Sequence, residues 1–312
     1  MSGLLSDTEA SYAQRLENAL TGARVDPGLA DVSDIIYCFR AAQFDPYFPA
    51  DEMVHGLHRT MAGMGLVRGD DFGFILDIEQ RPKKSPRAFC SPVLVPEEVY
   101  LVIKPQGGSD DYDSFFHEAG HATHYSRIAP DAPWPLRCLG DTDITESYAF
   151  LFHYLVHNTR WLRDVLGIPL QAAEEFRRFT LFKKLWFLRR YAAKLHYELT
   201  LHGGDPAETC DVYVPTLTEA LQVDIAPENS LADVDDGFYV AQYLRAWIFE
   251  SMLRRFLEEE FGEAWWKSRD AGWFLRDWWR RGQSLPLSAL AREIGYEQLD
   301  ARPLVEELLG LR

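Results

Sequence analysis

Several patterns are missing from this chain, and each absence removes a class of protein. The four cysteines, Cys38, Cys90, Cys138 and Cys210, stand far apart and form no C-x-x-C pair. That spacing argues against a cysteine zinc site and for free thiols in a reducing cytoplasm. No stretch reaches about 18 uninterrupted apolar residues, so no ordinary membrane span is expected. The opening MSGLLSDTEASYAQ lacks a basic start followed by an apolar core, so no signal peptide is expected there. Basic residues are in deficit: 32 Lys and Arg stand against 48 Asp and Glu, for a formal net charge of −16. A surface of that sign disfavours nucleic acid and anionic membrane as partners. Internal repeats, low-complexity segments and glycine-rich phosphate loops are missing as well.

What is present suits a globular protein. The chain has 312 residues, 47% of them hydrophobic and 13% aromatic, enough for a substantial core in one large or two ordinary domains. Helical periodicity marks residues 7–21, capped at Ser6 or Asp7, with Tyr12, Leu16 and Leu20 in one apolar stripe. It resumes at about Val32–Phe44 and Asp51–Met64. In the second of these, His55 and His58 read as surface histidines, since no acidic motif accompanies them. From Asp71 the period shortens. Residues 72–78, 88–95 and 98–104 are short, rich in β-branched and aromatic residues, and bounded by Pro82, Pro86, Pro96 and Pro105, which predicts a small sheet. Beyond residue 110 the chain reads as helix: one run through residue 125, one to about Asn158, a long one over 169–202 with an aromatic core stripe stopped by Gly203-Gly204-Asp205-Pro206, and others over 237–261, 265–281, 287–294 and 303–309. The expected class is mostly α with one small β-sheet. Residues 1–68 form an N-terminal helical segment and 69–312 a catalytic domain, or the two form one continuous domain.

The chemistry is concentrated in Ser114–Tyr125, SFFHEAGHATHY, which contains His117-Glu118-Ala119-Gly120-His121. In this H-E-x-x-H pattern the two histidines bind one metal ion and the glutamate acts as base. Helix positions i and i+4 stack on one face, so both imidazoles reach the same ion, while Glu118 lies about 100° round at the edge of that face. Asp110, Asp111, Asp113 and Ser114 supply helix N-terminal signals upstream. A catalytic zinc commonly takes three protein ligands and leaves one position open. The third ligand is Glu146, in Asp143-Ile144-Thr145-Glu146, near the start of the next apolar helix. Asp143 or Tyr148 could orient a ligand, and Asp143 serves equally well as a helix cap. His and carboxylate ligands suit several divalent ions, of which one Zn2+ is expected here.

HEAGHATH, the acidic ligand in D-x-x-E spacing on the next helix, and GFYVAQYLRAW at 237–247 together resemble the M3 family of zinc peptidases, which includes thimet oligopeptidase, neurolysin and oligoendopeptidase F. The resemblance covers about residues 85–260. It implies a gluzincin-type catalytic core in a short form with a reduced N-terminal half. The family's H-E-x-G-H with a further histidine three residues on is matched by His117, Glu118, Gly120, His121 and His124. The resemblance also places Tyr239 and Tyr243 as the hydroxyls that stabilise an oxyanion. Their spacing of four puts them on one helical face, as it would for two core tyrosines. The sequence departs from the family where a histidine precedes the first tyrosine, since residues 233–237 read DVDDG, and where a glutamate follows the zinc glutamate by seven residues, since His153 stands there. Family members are also longer, with an N-terminal helical half that closes a deep channel.

Together these readings predict a zinc metallopeptidase that hydrolyses oligopeptides through a water activated by the metal, with Glu118 as general base and a peptide as its partner. A sheet edge beside the metal could hold an extended substrate as an added strand. Two alternatives remain open on the same core. One is a zinc carboxypeptidase, with Arg189, Arg190 or Arg245 as candidate cations for the terminal carboxylate. The other is a non-catalytic zinc or peptide-binding protein.

Overall fold

The computed structural model describes residues 2–205 and 210–311. Pro206 and the side chain of Cys210 lie outside that set. The chain forms two compact units. One comprises Met1–Ala41, Arg178–Arg245 and Ala301–Arg312, and the other Ala42–Arg177 and Ala246–Asp300. The division expected between residues 68 and 69 falls inside the second unit.

The first unit contains α1 (Ser2–Gly22), α2 (Val32–Phe39), most of α8 (Leu170–Gly203), α9 (Tyr213–Leu221), the start of α10 (Tyr239–Phe261) and α13 (Arg302–Leu308). Tyr12, Leu16 and Leu20 are buried as the α1 stripe requires. The helix nonetheless begins at Ser2, so neither Ser6 nor Asp7 caps it. Helix α2 stops at Phe39 rather than running to Phe44, because Ala41 takes a positive φ of 48° and Pro46 follows in a 3-10 turn. Phe39 sits in an aromatic cluster with Phe182, Trp186 and Phe187 from α8. Most of the expected α8 stripe is buried, but Leu199 is 55% exposed. Arg189 of α8 is a polar pin. It donates to the carbonyls of Ala220 and Leu5, each at 2.8 Å, pairs with Glu9, and lies over the ring of Tyr12.

The second unit holds α3 (Glu52–Gly63), the sheet, α4 (Ser109–Tyr125), α5 (Trp134–Cys138), α6 (Thr142–His157), α7 (Thr159–Leu166), the first turns of α8, the rest of α10, α11 (Arg269–Arg280) and α12 (Leu287–Glu293). The three strands are β1 (Ile75–Asp77), β2 (Phe89–Leu94) and β3 (Glu98–Val102), in the order β1-β3-β2, with β3 parallel to β1 and antiparallel to β2. Three strands in one small sheet are what the sequence predicts, although each is shorter than its apolar run and their order in the sheet is new. Central β3 buries Val99, Leu101 and Val102, whereas on β2 Phe89, Val93 and Leu94 are exposed. Among the described residues β2 pairs only with β3, which makes it an edge strand.

The sheet hands the chain to α4 through Gly107 and Gly108, both at positive φ, where the backbone of Gly107 runs against Phe48 and Ala50. Asp111 Oδ2 accepts from the N–H of Gln106 and Gly107 at 2.7 and 2.9 Å, and Asp110 and Asp111 place negative charge at the helix start. Because α4 begins at Ser109, Asp113 and Ser114 lie inside the helix instead of marking its start. Helix α6 is buried on nearly every face, as a central helix of the unit must be.

Candidate metal centre

The packing of α4 on α6 assembles the site. A Cβ on Gly120 would stand 2.5 Å from Ala149 Cα and 2.6 Å from the Tyr148 carbonyl oxygen, so only glycine lets the two backbones approach this closely. The glycine inside HEAGH is therefore what brings the ligand face of α4 to that of α6.

On those facing surfaces three donors converge. Glu146 Oε2 lies 3.3 Å from Nε2 of His117 and 3.6 Å from Nε2 of His121, and the ligand atoms of all three residues lie within 4.8 Å of one another. Ligands on a tetrahedral zinc stand about 3.4 Å apart, given bonds of 2.0–2.1 Å. The carboxylate stands near that separation from each imidazole, so the three residues suit a zinc ion. His121 is oriented from behind by Thr145, whose Oγ1 lies 2.8 Å from Nδ1. With Nδ1–H donating to that hydroxyl, Nε2 keeps its lone pair for a metal. Burial, the largest effect on His121, lowers its pKa to about 4 and holds the ring in the neutral form that ligates; Glu146 opposes this and His117 reinforces it. Phe150 packs edge-on against His117 and stacks on Trp247 at 4.8 Å, forming an aromatic flank.

Glu118 stands beside the triad, and the backbone N–H of Cys90 on β2 donates to its Oε2 at 2.8 Å. Desolvation raises the Glu118 pKa. His117, the Cys90 hydrogen bond and Arg87 pull it down, and Glu146 pushes it up. A carboxylate made more basic by burial, and held at one oxygen, is arranged to accept a proton.

The remaining predicted residues are distributed over several elements. His124 is fully buried, lies against the Tyr125 and Tyr148 rings, and is held down to about pKa 3 chiefly by burial, so it is a packing histidine. Tyr148 packs on His124 and Trp279. Asp143 is buried within the first turn of α6, whose cap position belongs to Asp141. His58 Nε2 contacts the Gly69 carbonyl oxygen and His55 is exposed, in line with a surface role. Tyr239 and Tyr243 start α10 in the first unit, half-buried, with ring centroids 5.0 Å apart. Two partners escaped the sequence reading: Thr145, whose adjacency to Glu146 was its only signal, and the Cys90 N–H, which as a backbone group left none.

No family model matches the chain, and no curated protein matches it in sequence. Solved structures do match it in fold. An M32 carboxypeptidase from Deinococcus radiodurans R1 superposes with a TM-score of 0.66 at 18% identity, over 99% of this chain and 65% of that one. A protein named as an oligoendopeptidase F gives 0.69 at 17% identity, over 99% of this chain and 56% of that one. A structure named BsuCP gives 0.57 at 14%, over 97% and 65%. The chain thus spans roughly three-fifths of these proteins' length, and at such identities the likeness is one of fold.

Proposed function

We propose that this chain is a zinc-dependent metallopeptidase of the gluzincin type that hydrolyses peptide bonds in oligopeptides. The observation that carries this reading is the meeting of Glu146 Oε2 with Nε2 of both His117 and His121, beside a carboxylate, Glu118, held by Cys90. His117, His121 and Glu146 would hold the ion. When bound, zinc supplies Lewis acidity that acidifies water and polarises a scissile carbonyl.

The protein's own groups do the rest. Glu118 takes a proton from the attacking water through the oxygen that Cys90 does not hold, so the new C–O bond forms as that O–H bond breaks. It then delivers the same proton to the amine nitrogen as the C–N bond breaks, which closes the balance. Resemblance to M3 peptidases assigns to the phenol groups of Tyr239 and Tyr243 the role of stabilising negative charge on the carbonyl oxygen. The edge strand β2, already joined to Glu118 through Cys90, is the surface along which an extended substrate backbone would lie. A reducing, cytoplasmic setting is proposed with this function, on the wide spacing of the four cysteines in the sequence.

The endopeptidase and carboxypeptidase readings share this core, and the fold matches include proteins named for each. Two of the cations considered for a terminal carboxylate are engaged elsewhere: Arg189 is 1% exposed within its own unit and Arg190 pairs with Asp233. Of the three, Arg245 on α10 is the one that the carboxypeptidase reading would still call on. The test is digestion of a quenched peptide library by the zinc-loaded chain, followed by mass mapping of C-terminally free and amidated peptides. Internal cuts in both peptide forms are expected. Removal of C-terminal residues from free peptides alone would make it a carboxypeptidase, and no cleavage of any peptide would overturn the catalytic reading.

A further inference from the structure

The two helices that carry the metal centre carry a second set of ligand-type residues. Asp113 stands four residues before His117 on α4, while His153 and His157 follow Glu146 on α6. Asp113 Oδ1 lies 2.9 Å from Nε2 of His157 and 3.5 Å from Nε2 of His153, and the ligand atoms of the three residues lie within 4.8 Å of one another.

We propose that Asp113, His153 and His157 form a second binding site for a divalent transition-metal ion, zinc by preference, one helical turn along α4 from the first. The composition repeats that of the first centre: two imidazoles from one helix and a carboxylate from the other, with the helices exchanging roles. The second set's separations of 2.9 and 3.5 Å lie either side of the roughly 3.4 Å expected of ligands sharing one zinc, as 3.3 and 3.6 Å do in the first set. Two imidazoles exclude magnesium and calcium, which require oxygen ligands, and with one carboxylate they suit zinc and its first-row neighbours.

A plain hydrogen-bonded cluster accounts for only part of this arrangement. His157 and Asp113 make a good hydrogen bond. His153 Nε2, in contrast, is buried and has no hydrogen-bond partner, although it lies near the same carboxylate oxygen. An imidazole nitrogen turned toward an oxygen outside bonding geometry is what a shared cation would draw in. Phe150 stacks on His153 and Phe176 meets the edge of His157, which supplies an apolar surround. Asp113 is 7% exposed, so its charge is one that a cation would offset.

The two sites are neighbours without being fused. The rings of His117 and His153 are 5.8 Å apart, and four residues of helix advance about 6 Å. Bridged two-metal centres hold their ions about 3.5–4 Å apart by sharing ligands, and no ligand is shared here. Repulsion between the ions makes the second weaker than the first.

The site is tested by metal stoichiometry, which is independent of peptide hydrolysis. The metal-free 312-residue chain is titrated with zinc against a chromophoric chelator, and bound zinc is counted by mass spectrometry after gel filtration. Two equivalents of unequal affinity are expected for the parent chain, one for His153→Ala/His157→Ala, and one for His117→Ala/His121→Ala. A parent chain that binds one equivalent overturns the proposal. So does a folded His117→Ala/His121→Ala variant that binds none, or a His153→Ala/His157→Ala variant that still binds two. Should a variant fail to fold, as circular dichroism would show, the parent count decides.

Discussion

The backbone N–H of Cys90 donates to Glu118 Oε2 at 2.8 Å, fixing one oxygen of the expected base to the edge of the sheet. The bond joins two parts of the chain that sequence spacing would never pair. It also leaves Glu118 one oxygen for proton transfer.

From that relationship, Glu118→Gln keeps the shape and the Cys90 hydrogen bond through its amide oxygen but cannot take up a proton. Zinc content is expected to match that of the parent, while kcat falls by about a hundredfold to ten-thousandfold. Metal analysis beside a fluorogenic peptide assay checks both halves. A variant as active as the parent would remove Glu118 from the mechanism.

Thr145 tests how His121 is oriented. Thr145→Val preserves volume and removes the Oγ1 that lies 2.8 Å from Nδ1. Loss of such a partner weakens zinc binding by about ten- to a hundredfold, read as a rise in the zinc dissociation constant against a competing chelator. Thr145→Ser restores the hydroxyl and is expected to restore affinity.

Gly120 tests the helix packing. Since a Cβ there would stand 2.5 Å from Ala149 Cα, Gly120→Val forces α4 away from α6. The expected result is a loss of stability of roughly 1–3 kcal/mol from overpacking, seen in thermal unfolding, together with weaker zinc binding in whatever fraction stays folded. Unchanged melting and unchanged zinc affinity would mean the backbones do not meet at Gly120.

The tyrosines are tested as donors. If their hydroxyls stabilise the oxyanion, Tyr239→Phe and Tyr243→Phe each lower kcat by about a hundredfold or more while KM changes little. Core tyrosines would instead show altered melting temperature and near-normal turnover.

His124 gives the acid limb of stability. Its folded pKa, about 3, lies below the ordinary histidine value of about 6.5, so the folded state binds fewer protons than the unfolded one over the interval between. Stability from this group is therefore complete above about pH 6.5 and is lost as pH falls towards 3. His124→Gln is expected to flatten the dependence of melting temperature on pH across that window. On the acid side activity is also expected to fall as the Glu118 carboxylate takes up a proton and ceases to act as base.

Much of this molecule is legible in its residues. The positions of α4, α6 and α8 follow from helical periodicity, and the three strands from short β-branched runs between prolines, because both patterns are local. The ends were less legible. Helix α2 stops at Ala41, where a positive φ breaks it, and α4 starts at Ser109 because Gly107 and Gly108 turn the chain, so Asp113 became an interior residue and not an N-terminal signal. Short helices α5, α7 and α9 carried too few periods to stand out from their surroundings.

The sequence alone determined the ligand types and their partition: two imidazoles four residues apart, an adjacent carboxylate, and an acidic side chain on the next helix. These are chemical facts that helix geometry converts into a shared face. Only the tertiary structure decided which distant groups meet. It set Thr145 behind His121 and Cys90 against Glu118, made β2 the edge strand, buried His124 in the core, and brought Asp113 to His153 and His157. The physical reason is that such pairings depend on how closely α4 approaches α6. That approach is fixed by the missing side chain at Gly120 together with everything packed around both helices.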